Sequence, residues 1–216
     1  MFKIGIFDSG IGGESVRRAV ARALPDAEVL LRSDREHMPY GDKPSAEVLG
    51  YVVPILEGLA AAGCDAIVIA CNTVTTTLIS ELRARIAVPL VGIEPMVKPA
   101  ATATKTGIIA VCATPATLAS KRYAWLKNTY AKDAQVIEPD CSKWAYMIEH
   151  NQVNEQEITR QVRELCDAGA DVIVLGCTHY HWIEDVIRQA AAGRAAILQP
   201  EEAVVRQLKR VLAQRP

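Results

Sequence analysis

Apolar residues in this chain come in short unbroken runs, separated by longer stretches with helical spacing. Residues 3–7, 66–70, 108–112 and 172–175 are runs of this kind, each bounded by Gly, Asp or polar turn residues. Residues 28–31, 88–91, 136–137 and 195–198 supply shorter ones. A continuous apolar run of this length predicts a strand buried on both faces, as in a parallel sheet. Between the runs, Val16, Ala19, Val20 and Ala23 recur at helical spacing before Pro25. Val48, Leu49, Val52, Leu56 and Leu59 do the same after a capping Ser45. Further helices are predicted over 72–86, 95–104, 118–130, 155–168 and 178–192 and from 201 onward, with short helical pieces near 144–148. Strands that alternate with helices predict an α/β fold of doubly wound parallel sheets.

One phrase occurs twice. Gly63-Cys64-Asp65-Ala66-Ile67-Val68-Ile69-Ala70-Cys71-Asn72-Thr73 returns 106 residues later as Gly169-Ala170-Asp171-Val172-Ile173-Val174-Leu175-Gly176-Cys177-Thr178-His179. The opening strand Ile4-Gly5-Ile6 is echoed by Ile109-Ala110-Val111 at an offset of 105, which sets Asp8 opposite Ala113 and Ser9 opposite Thr114. The chain therefore reads as two similar domains, 1–100 and 101–198, related by pseudo-twofold symmetry, with the active site in the cleft between them. Ligands of such sheets bind beyond the carboxyl ends of the strands. Asp8-Ser9, Cys71-Asn72-Thr73, Thr114 and Cys177-Thr178-His179 all fall at that position. The loop 33–44 is long, polar and proline-punctuated, a second place where functional residues gather.

Composition narrows the partners. Half of the 216 residues are hydrophobic and 5% aromatic, so the core is built from Ala, Val, Ile and Leu. With 24 basic and 25 acidic residues interspersed, no basic stripe recruits nucleic acid and no basic amphipathic helix suggests a membrane surface. The apolar runs stop well short of a membrane span. Residues 1–8 enter a strand directly, without a signal-peptide pattern. Six cysteines without close clustering point to a reducing compartment, the cytoplasm. Cys64, Cys112, Cys141 and Cys166 read as small buried hydrophobes.

Cys71 and Cys177 read differently, because each follows a strand and opens a helix, where N–H groups and the helix dipole favour a thiolate. One thiolate and one thiol across a bound molecule form a two-base pair that removes a proton from one face and returns one to the other. At a tetrahedral carbon with an acidic C–H, the outcome is inversion. Asp8 and His179 would assist the two thiols. Asn72, Thr73, Thr114, Thr117 and Ser9 would hold carboxylates and an ammonium.

Phe7-Asp8-Ser9-Gly10-Ile11-Gly12-Gly13, Pro39-Tyr40-Gly41, Ala70-Cys71-Asn72-Thr73, Gly92-Ile93-Glu94-Pro95 and Leu175-Gly176-Cys177-Thr178-His179-Tyr180 together resemble the glutamate racemase family, in that family's order and over most of the chain. The resemblance implies cofactor-independent racemisation of glutamate, feeding D-glutamate to peptidoglycan, by a homodimer. It implies Cys71 as the base for D-glutamate and Cys177 as the base for L-glutamate, with Asp8 and His179 assisting. Ser9, Tyr40, Gly41, Asn72, Thr73, Thr114, Thr117 and Thr178 match substrate-binding positions, and Glu149 matches a further assisting carboxylate. It also implies that the final helix, about 199–216, returns to the first domain.

Departures from the family pattern are Glu14 for Leu, His37 for Arg, His181-Trp182 for Pro-Leu, and Gln199-Pro200-Glu201 for an Asp-Ser pair. They leave open a racemase of aspartate or another acidic amino acid, or a racemase-like protein that only binds. Zinc ligation by Cys71, Cys177, His179 and His181 is disfavoured, because the Cys-x-His-x-His spacing fits no compact knuckle and a helix would point Cys177 and His179 apart. The turn 8–13 lacks both a Walker lysine and dinucleotide glycine spacing, which disfavours a phosphate loop. His37 and His181 are expected as exposed, solvated imidazoles. The Trp144–Tyr146 cluster is expected in the core or at a domain interface.

Overall fold

β3 (Ala66–Ile69) and β7 (Val172–Leu175) carry no polar side chain because both of their faces are covered. The computed structural model describes residues 1–214. In chain order the first seven elements are β1 (Lys3–Asp8), α1 (Gly13–Ala23), β2 (Glu28–Ser33), α2 (Ser45–Ala61), β3 (Ala66–Ile69), α3 (Asn72–Arg85) and β4 (Leu90–Gly92). They form a four-stranded sheet of order β2-β1-β3-β4 in which every pairing is parallel. The next group is α4 (Val97–Ala103), β5 (Ile108–Cys112), α5 (Pro115–Leu118), α6 (Lys121–Tyr130), β6 (Gln135–Ile137), α7 (Trp144–Glu149), α8 (Glu155–Asp167), β7 (Val172–Leu175), α9 (Glu184–Ala191) and β8 (Ala196–Leu198). Its sheet, β6-β5-β7-β8, is again wholly parallel. The two strand orders are the same. In each, the chain builds outward on one side of the first strand and then crosses to the other, so the switch point lies between β1 and β3 and between β5 and β7. The chain divides into two compact units, Met1–Glu94 with the segment from Pro200, and Pro95–Gln199.

In the first unit, Ile4, Ile6, Val68 and Ala70 meet Val16 and Val20 of α1 on one face of the sheet. On the other face, Phe7, Ile67 and Ile69 meet Val52, Leu56 and Leu59 of α2 and Val74, Leu78 and Leu82 of α3. The last helix, α10 (Glu201–Ala213), adds Val204, Leu208 and Leu212, one residue per turn, to the α1 side. Residues 215–216 of the span expected for that helix lie outside the described residues. In the second unit, Ile109, Val111, Val172 and Val174 pack with Val97, Ala100, Tyr123 and Leu126.

Two expected helices take another form. The span 118–130 is broken, because Ser120 accepts the Tyr123 N–H at 3.1 Å and starts α6 afresh. After Cys177 the chain winds first as a 3₁₀ segment, Thr178–Ile183, and becomes α-helical at Glu184. Glu14, the departure at the start of α1, forks to Arg17 and Arg18, and the Arg17 hydrogen bond is the main reason its carboxyl is held down to about 2. Among the described residues no helix is long and apolar enough to cross a membrane.

Because Leu208 is fully buried against the first sheet, Leu208→Ala removes core volume there. Urea unfolding should show a loss of about 2–5 kcal/mol. A loss below about 1 kcal/mol would mean that α10 is not part of this core.

Candidate active site

In the first unit, polar groups gather at the β1–β3 switch point. β1 ends at Asp8, which is fully buried. Its Oδ2 accepts the backbone N–H of Gly10 at 3.1 Å and of Gly13 at 2.9 Å. The carboxylate thus serves N–H groups at the start of α1, whose own N-cap, Gly12, has no side chain to offer. Glycine is required at position 13, since a Cβ there would stand 2.6 Å from the Asp8 Cβ.

Beside Asp8, β3 hands over to α3 through Cys71, whose extended backbone (φ −133°, ψ 114°) makes it the N-cap residue. Its carbonyl accepts the Thr75 N–H at 2.9 Å, and its thiol sits at the positive end of a 14-residue helix. Ser9, expected as a substrate contact, has its Oγ 3.5 Å from Cys71 Sγ. Asn72 and Thr73 open the helix and are buried. Both polar atoms of the Asn72 amide are buried without a hydrogen-bond partner, in a residue only 3% exposed. An unpaired buried amide costs about 1–3 kcal/mol, a cost that a bound ligand with donor and acceptor groups would remove.

Tyr40 and Gly41 lie in a short 3₁₀ turn, Tyr40–Asp42. The Tyr40 O–H donates to Asp34 Oδ2 at 2.5 Å, and His37 Nδ1 lies 2.8 Å from Asp34 Oδ1. The Asp34 N–H in turn donates to the Asp8 carbonyl at 3.1 Å. Burial, then the Asp34 hydrogen bond, push the Tyr40 hydroxyl far above its usual range, so it stays a phenol. Sequence reasoning missed Asp34. It follows the end of β2, so the strand-end rule that selected Asp8 could have found it. The expectation of a solvated His37 is also corrected: its ring stacks on Tyr51 at 3.8 Å and its side chain is 36% exposed, because Asp34 and Tyr51 hold it against the loop.

In the second unit the β5–β7 switch point carries a different set. Cys177, also extended (φ −147°, ψ 135°), caps the 3₁₀ segment that bears Thr178 and His179. The tighter winding corrects the expectation that a helix would separate the two side chains: Cys177 Sγ is 3.7 Å from His179 Nδ1. His179 Nε2 lies 2.9 Å from Glu149 Oε2, with both side chains buried. With Glu149 ionised, the carboxylate can only accept, which places the ring proton on Nε2 and leaves Nδ1 to accept from the thiol. The arrangement can make a thiolate and an imidazolium backed by a carboxylate. Thr114 and Thr117 meet each other at the start of α5, with the Thr114 hydroxyl donating to Thr117 Oγ1 at 3.0 Å and accepting the Thr117 N–H at 3.4 Å. Thr178 is buried on the 3₁₀ segment.

The remaining cysteines are of another kind. A hydrogen bond with the Cys112 thiol, and then burial, push the Cys141 thiol far up, and burial raises Cys64 and Cys166. Of the expected aromatic cluster, Trp144 is buried edge-on against Tyr180 at 5.1 Å, while Tyr146 is exposed and stacks on His150. Among the described residues no group of three or more His, Cys, Asp or Glu is placed to hold a metal ion.

A sequence model of the Asp/Glu/Hydantoin racemase family matches residues 14–208. A glutamate racemase of Ralstonia nicotianae is 38% identical over 214 residues, 97% of this chain and 77% of that protein. The crystal structure of Escherichia coli glutamate racemase, in complex with L-glutamate and the activator UDP-MurNAc-Ala, aligns with a TM-score of 0.90 at 26% identity, over 99% of this chain and 83% of that one. Glutamate racemase from Francisella tularensis, in complex with D-glutamate, aligns with a TM-score of 0.81 at 26% identity, over 99% and 81%. The chain belongs to the Asp/Glu/Hydantoin racemase family, and within it to the glutamate racemases.

Replacing Asn72 by Leu removes the unpaired amide at similar volume. The unfolding free energy of Asn72→Leu, measured in urea, should be unchanged or raised by up to about 1 kcal/mol. A clear loss of stability would show that the amide has a structural partner.

Proposed function

We propose that this chain interconverts L- and D-glutamate by two-base proton transfer at the α-carbon, without a cofactor. The observation that carries the proposal is the repeat of one placement: a thiol just past the buried third strand, β3 or β7, of two identically ordered sheets, each capping the segment that follows. Glutamate bound in related racemases, as the L form in one structure and the D form in another, supports an acidic amino acid as substrate.

From L-glutamate, the Cys177 thiolate takes the α-proton and becomes a thiol. The Cys71 thiol gives its proton to the opposite face and becomes a thiolate, leaving D-glutamate. The reverse direction exchanges the roles. His179, backed by Glu149, resets the Cys177 proton, and Asp8 assists Cys71. Ser9, Tyr40, Gly41, Asn72, Thr73, Thr114, Thr117 and Thr178 hold the two carboxylates and the ammonium. Positioning the C–H within reach of fixed bases supplies much of the rate. In this reading the protein works in the cytoplasm as a homodimer and supplies D-glutamate for peptidoglycan.

The test incubates pure protein with each enantiomer of glutamate and of aspartate, with no cofactor added, and follows inversion by chiral chromatography. Glutamate should invert in both directions, and Cys71→Ser and Cys177→Ser should each lower the rate about a hundred- to ten-thousandfold. Turnover of aspartate alone would move the substrate assignment. Inversion that persists in both Cys→Ser variants would overturn the mechanism.

A further inference from the structure

Two positions that stand out separately as departures in the sequence, His181 and Gln199, meet in the fold. His181 Nδ1 lies 2.6 Å from Gln199 Oε1, so the ring N–H donates to the amide oxygen. His181 belongs to the 3₁₀ segment that carries Thr178 and His179, and Gln199 directly follows β8. Both lie within the second unit. The bond to Gln199 corrects the expectation of a solvated His181: the ring is half-buried and makes a structural contact.

The geometry of the segment explains what this bond can do. A 3₁₀ helix turns about 120° per residue, so three consecutive side chains point in three directions. Here each of the three finds its own anchor. His179 bonds to Glu149 on α7, the Tyr180 hydroxyl donates to the Cys141 carbonyl at 3.0 Å, and His181 bonds to Gln199 beyond β8. Two of these anchors lie on or just before α7. The third ties the segment to the residue that follows the neighbouring strand β8, which pairs with β7. In a 3₁₀ helix, residues three apart are eclipsed, so the face fixed by His181 is the face that presents Thr178. The Cys177 carbonyl accepts the Tyr180 N–H at 3.1 Å, which couples the same rotation to the cysteine.

We propose that His181 and Gln199 are paired positioning residues that set the rotation of the 3₁₀ segment, and through it the approach of His179 to Cys177. The proposal rests on the racemase reading for its kinetic consequence and specifies that the consequence is one-sided. Losing the bond should impair proton removal by Cys177 from L-glutamate and leave removal by Cys71 from D-glutamate near its normal rate.

The test compares His181→Ala, His181→Asn, Gln199→Leu and the double variant His181→Ala/Gln199→Leu with the parent enzyme. Circular dichroism and urea unfolding check that each is folded. His181→Ala and Gln199→Leu should each lower kcat for L-glutamate about three- to tenfold, the worth of one hydrogen bond. Each should raise the primary isotope effect with α-deuterated L-glutamate and leave unchanged or lower that with α-deuterated D-glutamate, where Cys177 delivers the proton instead of removing it. His181→Asn keeps an N–H donor near the Nδ1 position and should recover most of the rate, and the double variant should be no slower than the single ones. Isotope effects that stay put, or rise equally for both enantiomers, would overturn the proposal, as would single effects that multiply in the double variant. If His181→Ala does not fold, Gln199→Leu carries the same comparison. Should the parent enzyme invert no acidic amino acid, the racemase reading fails by itself. The positioning claim is then decided by nuclear magnetic resonance: the His179 ring signals must shift in Gln199→Leu, and unshifted signals reject it.

Discussion

Burial of the central strands on both faces is the constraint from which the rest of the architecture follows. Every residue of β3 and β7 is buried, and their backbone groups are spent on neighbouring strands. Polar side chains have no place along such strands and can enter only where they end. At those ends the next segment begins with N–H groups that lack partners, so the same point that admits polar residues also favours negative charge. An extended residue must join the strand to the following turn, and in both units that residue is a cysteine. Asp8 obeys the same rule at the end of β1, where its carboxylate meets the N–H groups of Gly10 and Gly13.

That rule made much of the site legible in the sequence. The runs at 66–70 and 172–175 could only be buried strands, and the residues just past them could only be at the sheet's carboxyl edge. Contacts made by loop folding were not legible. Asp34, His37, Tyr40 and Tyr51 come together through the path of the 33–44 loop, which no periodicity encodes. Glu149 stands thirty residues before His179; family resemblance marks it as an assisting carboxylate, but neither resemblance nor spacing points to its contact with His179. The 3₁₀ winding after Cys177 is not legible either, because apolar spacing over six residues does not separate it from an α-helix. The contact between His181 and Gln199 depends on that winding and was hidden with it.

The two units share a frame but not their helpers. Cys71 has the Ser9 hydroxyl close by, and the strand it follows pairs with the one that ends at the buried Asp8. Cys177 has an imidazole whose far nitrogen is held by a carboxylate. An imidazole accepts and gives protons near neutral pH, whereas a hydroxyl mainly orients. In the proposed mechanism the two thiols would therefore reach their reactive forms by different routes, as suits a substrate that is itself unsymmetrical at the reacting carbon. Duplication accounts for the equal placement of the cysteines, and divergence at the flanking positions accounts for the unequal chemistry.

The central claim is that two separate bases serve the two faces of one α-carbon. It is tested most directly by starting from L-glutamate in deuterated water and stopping the reaction early. Two bases predict that the D-glutamate formed carries deuterium at the α-carbon while the remaining L-glutamate keeps its proton. A single base moving the same proton between faces would leave much of the product undeuterated, and that result would contradict the account.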